Sequence, residues 1–173
     1  MYSFELKTKQ DIIDFANGCC FFGCGGGGDP EAGIKALSEV LEQGKPLKVT
    51  SFDSLKDDDV YASVFLMGSI APKTKEIEDK QRRNGVPLDP PYSPQQALSM
   101  SLDVLEEYTG KKINALFAIE LGGGNSCMPM SVGFDKGLTY IDADAAGRAY
   151  PQMVQALPLA LNKPCLPVAI VNQ

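Results

Sequence analysis

The stretch FGCGGGGDPEAG, residues 22–33, places four consecutive glycines before an aspartate and a proline. Because glycine raises the conformational entropy lost when a segment is ordered, such a run needs a structural or chemical reason. Three reasons are open: a flexible linker, a tight turn that lets a helix pack closely on a sheet, or backbone that must approach a ligand. The flanking sequence decides between them.

The residues on either side of the glycines predict a strand and a helix. Apolar residues 19–23, which follow the helix stop Asn17-Gly18, predict a strand. Asp29 is a good helix N-cap and Pro30 a good first helical residue. A flexible linker is not expected between a strand and a helix with a strong N-cap, so the linker interpretation is disfavoured. We therefore expect free N–H groups of the glycines to face an anion or a developing negative charge, unless they form only a tight turn.

The rest of the chain alternates apolar segments with helical patterns. This order predicts an α/β fold of three layers, with a largely parallel central sheet and glycine-rich loops at the carboxyl ends of strands. The charged and proline-rich residues 71–93 predict an insertion that is mobile or contacts a partner. Strands are predicted near residues 19–23, 47–51, 60–67, 113–119, 138–142 and 168–171.

Length, charge and composition limit the classes of function. A chain of 173 residues, 44% of them hydrophobic, fits one domain with a substantial core. Its net charge of -6 argues against nucleic acid as a partner. No apolar run is long enough to span a membrane and no secretory signal pattern is present, so we expect no membrane partner and a cytoplasmic location. Histidine is absent, which excludes Ser-His-Asp or Cys-His catalysis and histidine-ligated zinc within this chain.

Three predicted strands are each followed by glycine or alanine and by charged or amide side chains: FFGCGGGGD, FAIELGGGN and YIDADAAGR. Ligands of open α/β sheets bind at the carboxyl ends of strands, so we expect these loops to form one site. Alternatively, Asp29 is only a helix cap, and Arg148 only the ion-pair partner of Asp142 or Asp144. The predicted site consists of Gly25, Gly26, Gly27, Gly28, Asp29, Glu120, Asn125, Asp142, Asp144 and Arg148.

The motifs GCGGGGDPEAG, ELGGGNS and DADAAGRAYPQ, in this order, resemble the N-terminal domain of the S-methyl thiohydantoin desulfurase-like family, which is related to hydantoinases. The resemblance covers nearly the whole chain and implies a domain of a hydrolase that acts on small cyclic amides or thioimidates of hydantoin type. Gln152 departs from a common Glu of the family, and Ala143 and Ala146 replace glycine-type positions. Family chains usually continue into a C-terminal domain, so residues 1–173 are interpreted as a single domain, either excised or half of a split protein.

This interpretation assigns a role to most members of the predicted site. Glu120 or Asp144 activates a water molecule, and the N–H groups of residues 25–28 stabilise an oxyanion. Asn125 or Arg148 orients the ring carbonyl, while the remaining members contribute to substrate binding. No cofactor and no metal are expected.

Two alternatives come from other functional classes. One is a non-catalytic small-molecule binding or assembly subunit that is active only with a partner domain. The other is a site for Mg²⁺, Mn²⁺ or Ca²⁺ formed by the carboxylates of Glu120, Asp142 and Asp144, although no dedicated ligand spacing supports it.

The cysteines and the C-terminal segment bear on redox state and partners. The five cysteines are an odd number without disulfide-framework spacing, which indicates reduced thiols. Cys24 and Cys127 are candidate nucleophiles, which the absence of a histidine base disfavours. Residues 153–171 are more apolar than a broken helix can bury. Besides a small-molecule substrate, we therefore expect either a homo-oligomer or a second domain or subunit as partner.

Overall fold

The structure is a computed structural model that describes residues 2–67, 74–89 and 91–171. Strands β1 to β5 span Ser3–Leu6, Leu47–Ser51, Tyr61–Ala62, Ala115–Ala118 and Thr139–Asp144. Helices α1 to α6 span Lys9–Phe22, Pro30–Glu42, Lys75–Arg83, Pro94–Thr109, Gly123–Asp135 and Leu157–Ala160. Short 3-10 turns occupy Phe52–Ser54 and Met153–Gln155.

The five strands form one sheet in the order β1-β2-β5-β4-β3. Only the pair β1–β2 is antiparallel, and the three other pairs are parallel. Helices flank this sheet, which confirms the predicted α/β class and its largely parallel sheet. The predicted strand at residues 113–119 lies inside the sheet, where β4 pairs with both β5 and β3.

Helix α5 is at the centre of the packing. It lies against β4 and β5 and contacts α2, α1 and α4. Its buried Met130 belongs to the same apolar core as Leu37 of α2 and Leu116 of β4, all with no exposed surface. The buried positions of α2, which are Gly33, Ala36, Leu37 and Val40, follow the i, i+3, i+4, i+7 pattern of a helix with one apolar face.

The prediction of a strand at residues 19–23 is wrong, because α1 continues to Phe22. Its buried residues Ile12, Ala16 and Cys19 form one stripe at helical spacing, which passes through the expected stop at Asn17-Gly18. The first glycine run therefore connects two helices rather than a strand and a helix. The N-cap at Asp29 is confirmed, since its side chain accepts a hydrogen bond from the N–H of Glu31 at 3.0 Å.

Other differences concern segments whose local sequence is misleading. The strand predicted at 60–67 is only Tyr61–Ala62, and residues 168–171 form no strand. Residues 168–171 contain no proline, but Pro164 and Pro167 precede them, lack N–H groups, and so shorten the stretch that could pair with a neighbouring strand. Strand β1 and helix α5 were not predicted. Within the predicted insertion 71–93, residues 71–73 and 90 lie outside the described residues, and the remainder contains α3, which buries no side chain.

Candidate functional site

The glycine run packs backbone against backbone on the second glycine segment. The carbonyl of Gly27 accepts hydrogen bonds from the N–H groups of Gly124 at 3.1 Å and Asn125 at 2.8 Å. A Cβ atom on Gly27 would lie 2.4 Å from the Cα of Gly122, a distance that no side chain tolerates. Gly27 is therefore a close-packing glycine, but its partner is the second glycine segment and not the sheet that the tight-turn interpretation expected.

The same close approach continues along the helices that follow. A Cβ on Gly33 of α2 would lie 2.3 Å from the carbonyl oxygen of Gly123, and a Cβ on Gly123 would lie 2.5 Å from the Cβ of Pro30. Glycine at these positions lets the first turns of α2 and α5 touch. We call this contact, formed by residues 27–33 and 122–127, the glycine junction.

Glu120 lies beside the glycine junction and is 8% exposed. Its Oε1 accepts a hydrogen bond from the Asn125 side-chain amide at 2.6 Å, and its Oε2 accepts one from the N–H of Tyr150 at 2.8 Å. The carboxylate thus joins the start of α5 to the segment after β5. Burial, together with the negative charge of Glu120, raises the pKa of Tyr150 to about 12.

Asp144 ends β5 at the same edge of the sheet. Its Oδ1 accepts hydrogen bonds from the N–H groups of Ala146, at 2.7 Å, and Gly147. Its Oδ2 receives no hydrogen bond from the described residues, so this oxygen is available to a water molecule or a ligand. Asp144 therefore differs from Glu120, whose two oxygens are both occupied.

The third loop also approaches the glycine run. A Cβ on Gly26 would lie 2.7 Å from the Cβ of Ala149. Arg148 donates from Nε to the carbonyl of Ala149 at 3.2 Å and forms no salt bridge within the described residues, so the ion pair with Asp142 or Asp144 considered above is absent there.

The structure thus brings most of the predicted site residues to one edge of the sheet. Gly26 approaches the third loop, Gly27 and Gly28 approach residues 121–125, and Glu120 and Asp144 follow the neighbouring strands β4 and β5 at this edge. The side chains of Asp29 and Asp142 have structural partners, because Asp29 caps α2 and Asp142 accepts a hydrogen bond from the hydroxyl of Tyr2.

The three carboxylates considered as metal ligands bind different partners. Glu120 accepts from α5 and Tyr150, Asp142 from Tyr2, and Asp144 from its own loop. Across residues 2–67, 74–89 and 91–171, no group of three or more His, Cys, Asp or Glu side chains is arranged to hold a metal ion.

The cysteines divide by burial. Cys127 is fully buried, and a hydrogen bond with Cys19 and burial raise the pKa of its thiol. A hydrogen bond from Cys127, assisted by one from Ser126, lowers the pKa of Cys19 despite its own burial. Cys24 is exposed and donates to the carbonyl of Phe22. Burial and a raised thiol pKa argue against Cys127 as a nucleophile.

A cavity of about 380 Å³ adjoins this edge of the sheet, between α1 and the strands. The wall that α1 contributes to this cavity was not predicted, because residues 19–23 were assigned to a strand. An uninterrupted helical stripe through Phe15 and Cys19 was the signal that pointed to it.

The fold and site define an α/β domain whose glycine loops, one buried carboxylate and one accessible carboxylate meet at the carboxyl edge of a parallel sheet. Residues 10–173 match the family S-Me-THD-like, N-terminal domain, and the chain belongs to that family.

Among solved structures, the chain is similar to the X-ray structure of a protein from Chromobacterium violaceum determined in a structural genomics programme, with 27% sequence identity and a TM-score of 0.59. The similarity covers 88% of this chain and 38% of the Chromobacterium protein, so the chain corresponds to well under half of that protein. No curated protein matches the sequence significantly. Within the described residues, no helix is both long and apolar enough to cross a bilayer.

Proposed function

We propose that this chain is the domain of a hydrolase that acts on a small cyclic amide or thioimidate of hydantoin type. The observation that carries the proposal is the meeting of the three motif-bearing loops around Glu120 and Asp144, in a chain of the S-Me-THD-like N-terminal domain family. A hydrolase needs a group that activates water and donors that stabilise the oxygen on which charge develops. Both kinds of group occur at this edge.

Asp144 is the better candidate for the general base, because its Oδ2 is not engaged by the described residues. In the proposed step, a water molecule attacks the ring carbon while Asp144 takes a proton from that water molecule. For a thioimidate, the new C–O bond forms, the C–S bond breaks, and the proton passes to the departing thiolate. For an amide, the C–N bond breaks and the proton passes to nitrogen.

The other members of the site act in support. Glu120 fixes Asn125 and the backbone at Tyr150, and so holds the loops in position. The N–H of Gly26 is used by the carbonyl of Gly23, at 3.0 Å. This leaves the N–H groups of Gly25, Gly27 and Gly28 as the candidate oxyanion donors.

The test measures the hydrolysis of two substrates. Hydrolysis of an S-methyl thiohydantoin is detected by the release of methanethiol, and hydrolysis of hydantoin is detected by the opening of its ring. Asp144→Asn is expected to lower kcat about 10²- to 10⁴-fold with little change in KM, as loss of a general base does. Asp135→Asn, at the exposed end of α5, is the matched control. Full activity of Asp144→Asn would contradict the assignment of the base.

The alternative is a binding or assembly subunit that is active only with a partner domain. It is favoured by one observation, namely that the chain corresponds to 38% of the Chromobacterium protein. This alternative predicts that the chain alone binds hydantoin, as measured by calorimetry, without turning it over. Turnover is expected once the partner domain is added.

We also propose that the C-terminal segment contacts a second domain or a second copy of the chain. Its side chains Leu166, Val168 and Ile170 are 78%, 56% and 83% exposed, and the segment forms one wall of an apolar groove of about 1010 Å³ with β3 and α4. Exposed apolar surface of this extent marks interaction sites. Light scattering at increasing concentration tests self-association, and Ile170→Asp is expected to abolish it.

A further inference from the structure

The cavity beside α1 has the size and lining of a ligand site. Its volume of about 380 Å³ lies within the usual range for small-molecule pockets. Its walls are mainly apolar, and they come from α1, from the middle of β2, from β5 and the end of β4, and from the start of α5. The apolar side chains are Phe15, Phe22, Val49, Ala118, Leu121, Ile141 and Ala143.

The charged groups of the cavity come from the carboxyl end of β5. Asp142 and Asp144 place two carboxylates there, and none of the described residues that line it is basic. The Tyr140 hydroxyl, also in the lining, is already used by the carbonyl of Ser126 at 3.1 Å. An anionic group in the cavity would therefore meet negative charge and no compensating cation.

Gly18 gives a second, independent observation. It lies inside α1, where glycine destabilises a helix by about 0.5–1 kcal/mol relative to alanine. Among the glycines that the structure describes, only Gly18 has neither a positive φ nor any atom within 4 Å of the position of a Cβ. Neither backbone conformation nor packing therefore requires glycine there. Gly18 lines the cavity, and a side chain at that position would occupy it.

The cavity has the volume and apolar lining of a ligand pocket, two carboxylates in its wall, and a glycine that leaves it open. From these observations we infer that it is a ligand site for an apolar, non-acidic group, and that it holds the ring substituent of the substrate. The second half of this inference rests on the proposed function. Leu121 and Asp144 connect the cavity to the glycine junction, because Leu121 lines the cavity while its carbonyl oxygen lies 2.4 Å from where a Gly27 Cβ would be. A ring held at Asp144 therefore has its substituent directed under α1.

The experiment compares the binding of three compounds by calorimetry: hydantoin, 5-benzylhydantoin and 5-carboxymethylhydantoin. The wild-type chain is expected to bind the benzyl compound at least about tenfold more tightly than hydantoin, because an aromatic group is buried. The carboxymethyl compound is expected to bind more weakly than hydantoin, and Asp142→Asn is expected to reduce that difference.

Gly18→Leu fills the cavity without a steric clash at the backbone and removes the helix-breaking residue. It is expected to bind hydantoin as the wild type does, and to lose the preference for the benzyl compound. Asn17→Leu adds the same side chain at the neighbouring, exposed position of α1 and is expected to retain the preference. Circular dichroism confirms that both variants are folded.

Benzylamine, which has an apolar ring and a cation but no hydantoin ring, separates the two halves of the inference. Suppose that the wild type binds benzylamine but no hydantoin, and that Gly18→Leu abolishes the binding of benzylamine. That result supports the ligand site in the cavity and contradicts the proposed substrate class. If hydantoins bind and Gly18→Leu keeps the wild-type preference, or if the wild type has none, the cavity inference is overturned and the proposed function remains. Binding of neither compound class by the folded wild type overturns both.

Discussion

Glycine has opposite consequences in two neighbouring regions of this molecule. At the glycine junction, a Cβ atom on Gly27 or Gly122 would lie less than 2.5 Å from the backbone of the other residue, so backbone occupies the space that a side chain would need. At the cavity beside α1, Gly18 leaves open space of 4 Å or more. The first region therefore uses glycine to bring elements together, and the second uses it to keep them apart. A glycine in the sequence does not reveal which of the two it does.

The largest effect is expected at the glycine junction. Gly27→Ala forces a Cβ into the backbone of Gly122 and also adopts a φ of +83°, which side chains rarely tolerate. We expect a loss of unfolding free energy of about 3 kcal/mol or more, measured by urea denaturation. Gly25→Ala is the control, since Gly25 shares the positive φ but has open space around it, and should lose about 1–2 kcal/mol. Equal losses in both variants would show that φ alone decides.

The next effect concerns the carboxylate that ties the junction to the third loop. Glu120→Ala leaves the amide of Asn125 and the N–H of Tyr150 without their acceptor, and should cost about 2–4 kcal/mol of unfolding free energy. Glu120→Gln keeps one oxygen for Tyr150 and should cost less, because the Asn125 amide can turn to present its own oxygen. Equal stability of Glu120→Ala and the wild type would remove the positioning role.

At the cavity the expected sign is reversed. Gly18→Ala should increase the unfolding free energy by about 0.5–1 kcal/mol, because alanine is the better helix former and its Cβ meets nothing. Asn17→Ala measures the gain from helix propensity alone at the adjacent position. A destabilised Gly18→Ala would mean that the space beside α1 is smaller than described, and the contrast between the two regions would disappear.

The smallest effect is expected far from both regions, where α4 connects to β4. Lys112 and the N–H of Ile113 donate hydrogen bonds to Glu106, at 2.6 and 2.7 Å, and hold its pKa below the usual 4.5. Because this pKa is lowered by folding, the stabilisation is present above pH 4.5 and is lost as pH falls through the lower value. Glu106→Gln should be less stable than the wild type at pH 7 and indistinguishable from it in acid, by denaturation at each pH.

Much of the fold was predictable because its signals are local. The capping box of Ser93 and Gln96, the cap at Asp29 and the apolar run around Leu116 each depend on neighbouring residues, and all three are present in the structure. Helix α5 was missed because its sequence, with three glycines and one proline, has poor helix propensity. Tertiary packing against α2 and the sheet overrides that propensity.

The location of the candidate site at the carboxyl edge of the sheet was predictable from the sequence, but the contacts within the site were not. Alignment of strand ends placed Glu120, Asn125 and Asp144 together. The pairing of Gly27 with Gly122 joins residues far apart in the chain, and nothing in either segment indicates its partner. The cavity depends on α1 continuing through Gly18, which local rules treat as a helix stop.

The sheet order has a consequence for how the chain is assembled during synthesis. Within the part of the chain that the structure describes, β5 is the last strand, yet it lies at the centre of the sheet and is the only strand that joins β2 to β4. Until Thr139–Asp144 has left the ribosome, the sheet consists of two separate pairs, β1–β2 and β3–β4, each with an unpaired edge. Such edges are exposed to pairing with other chains. A nascent chain that pauses before residue 139 therefore exposes the edges of β2 and β4 to such pairing, and the insertion of β5 covers both.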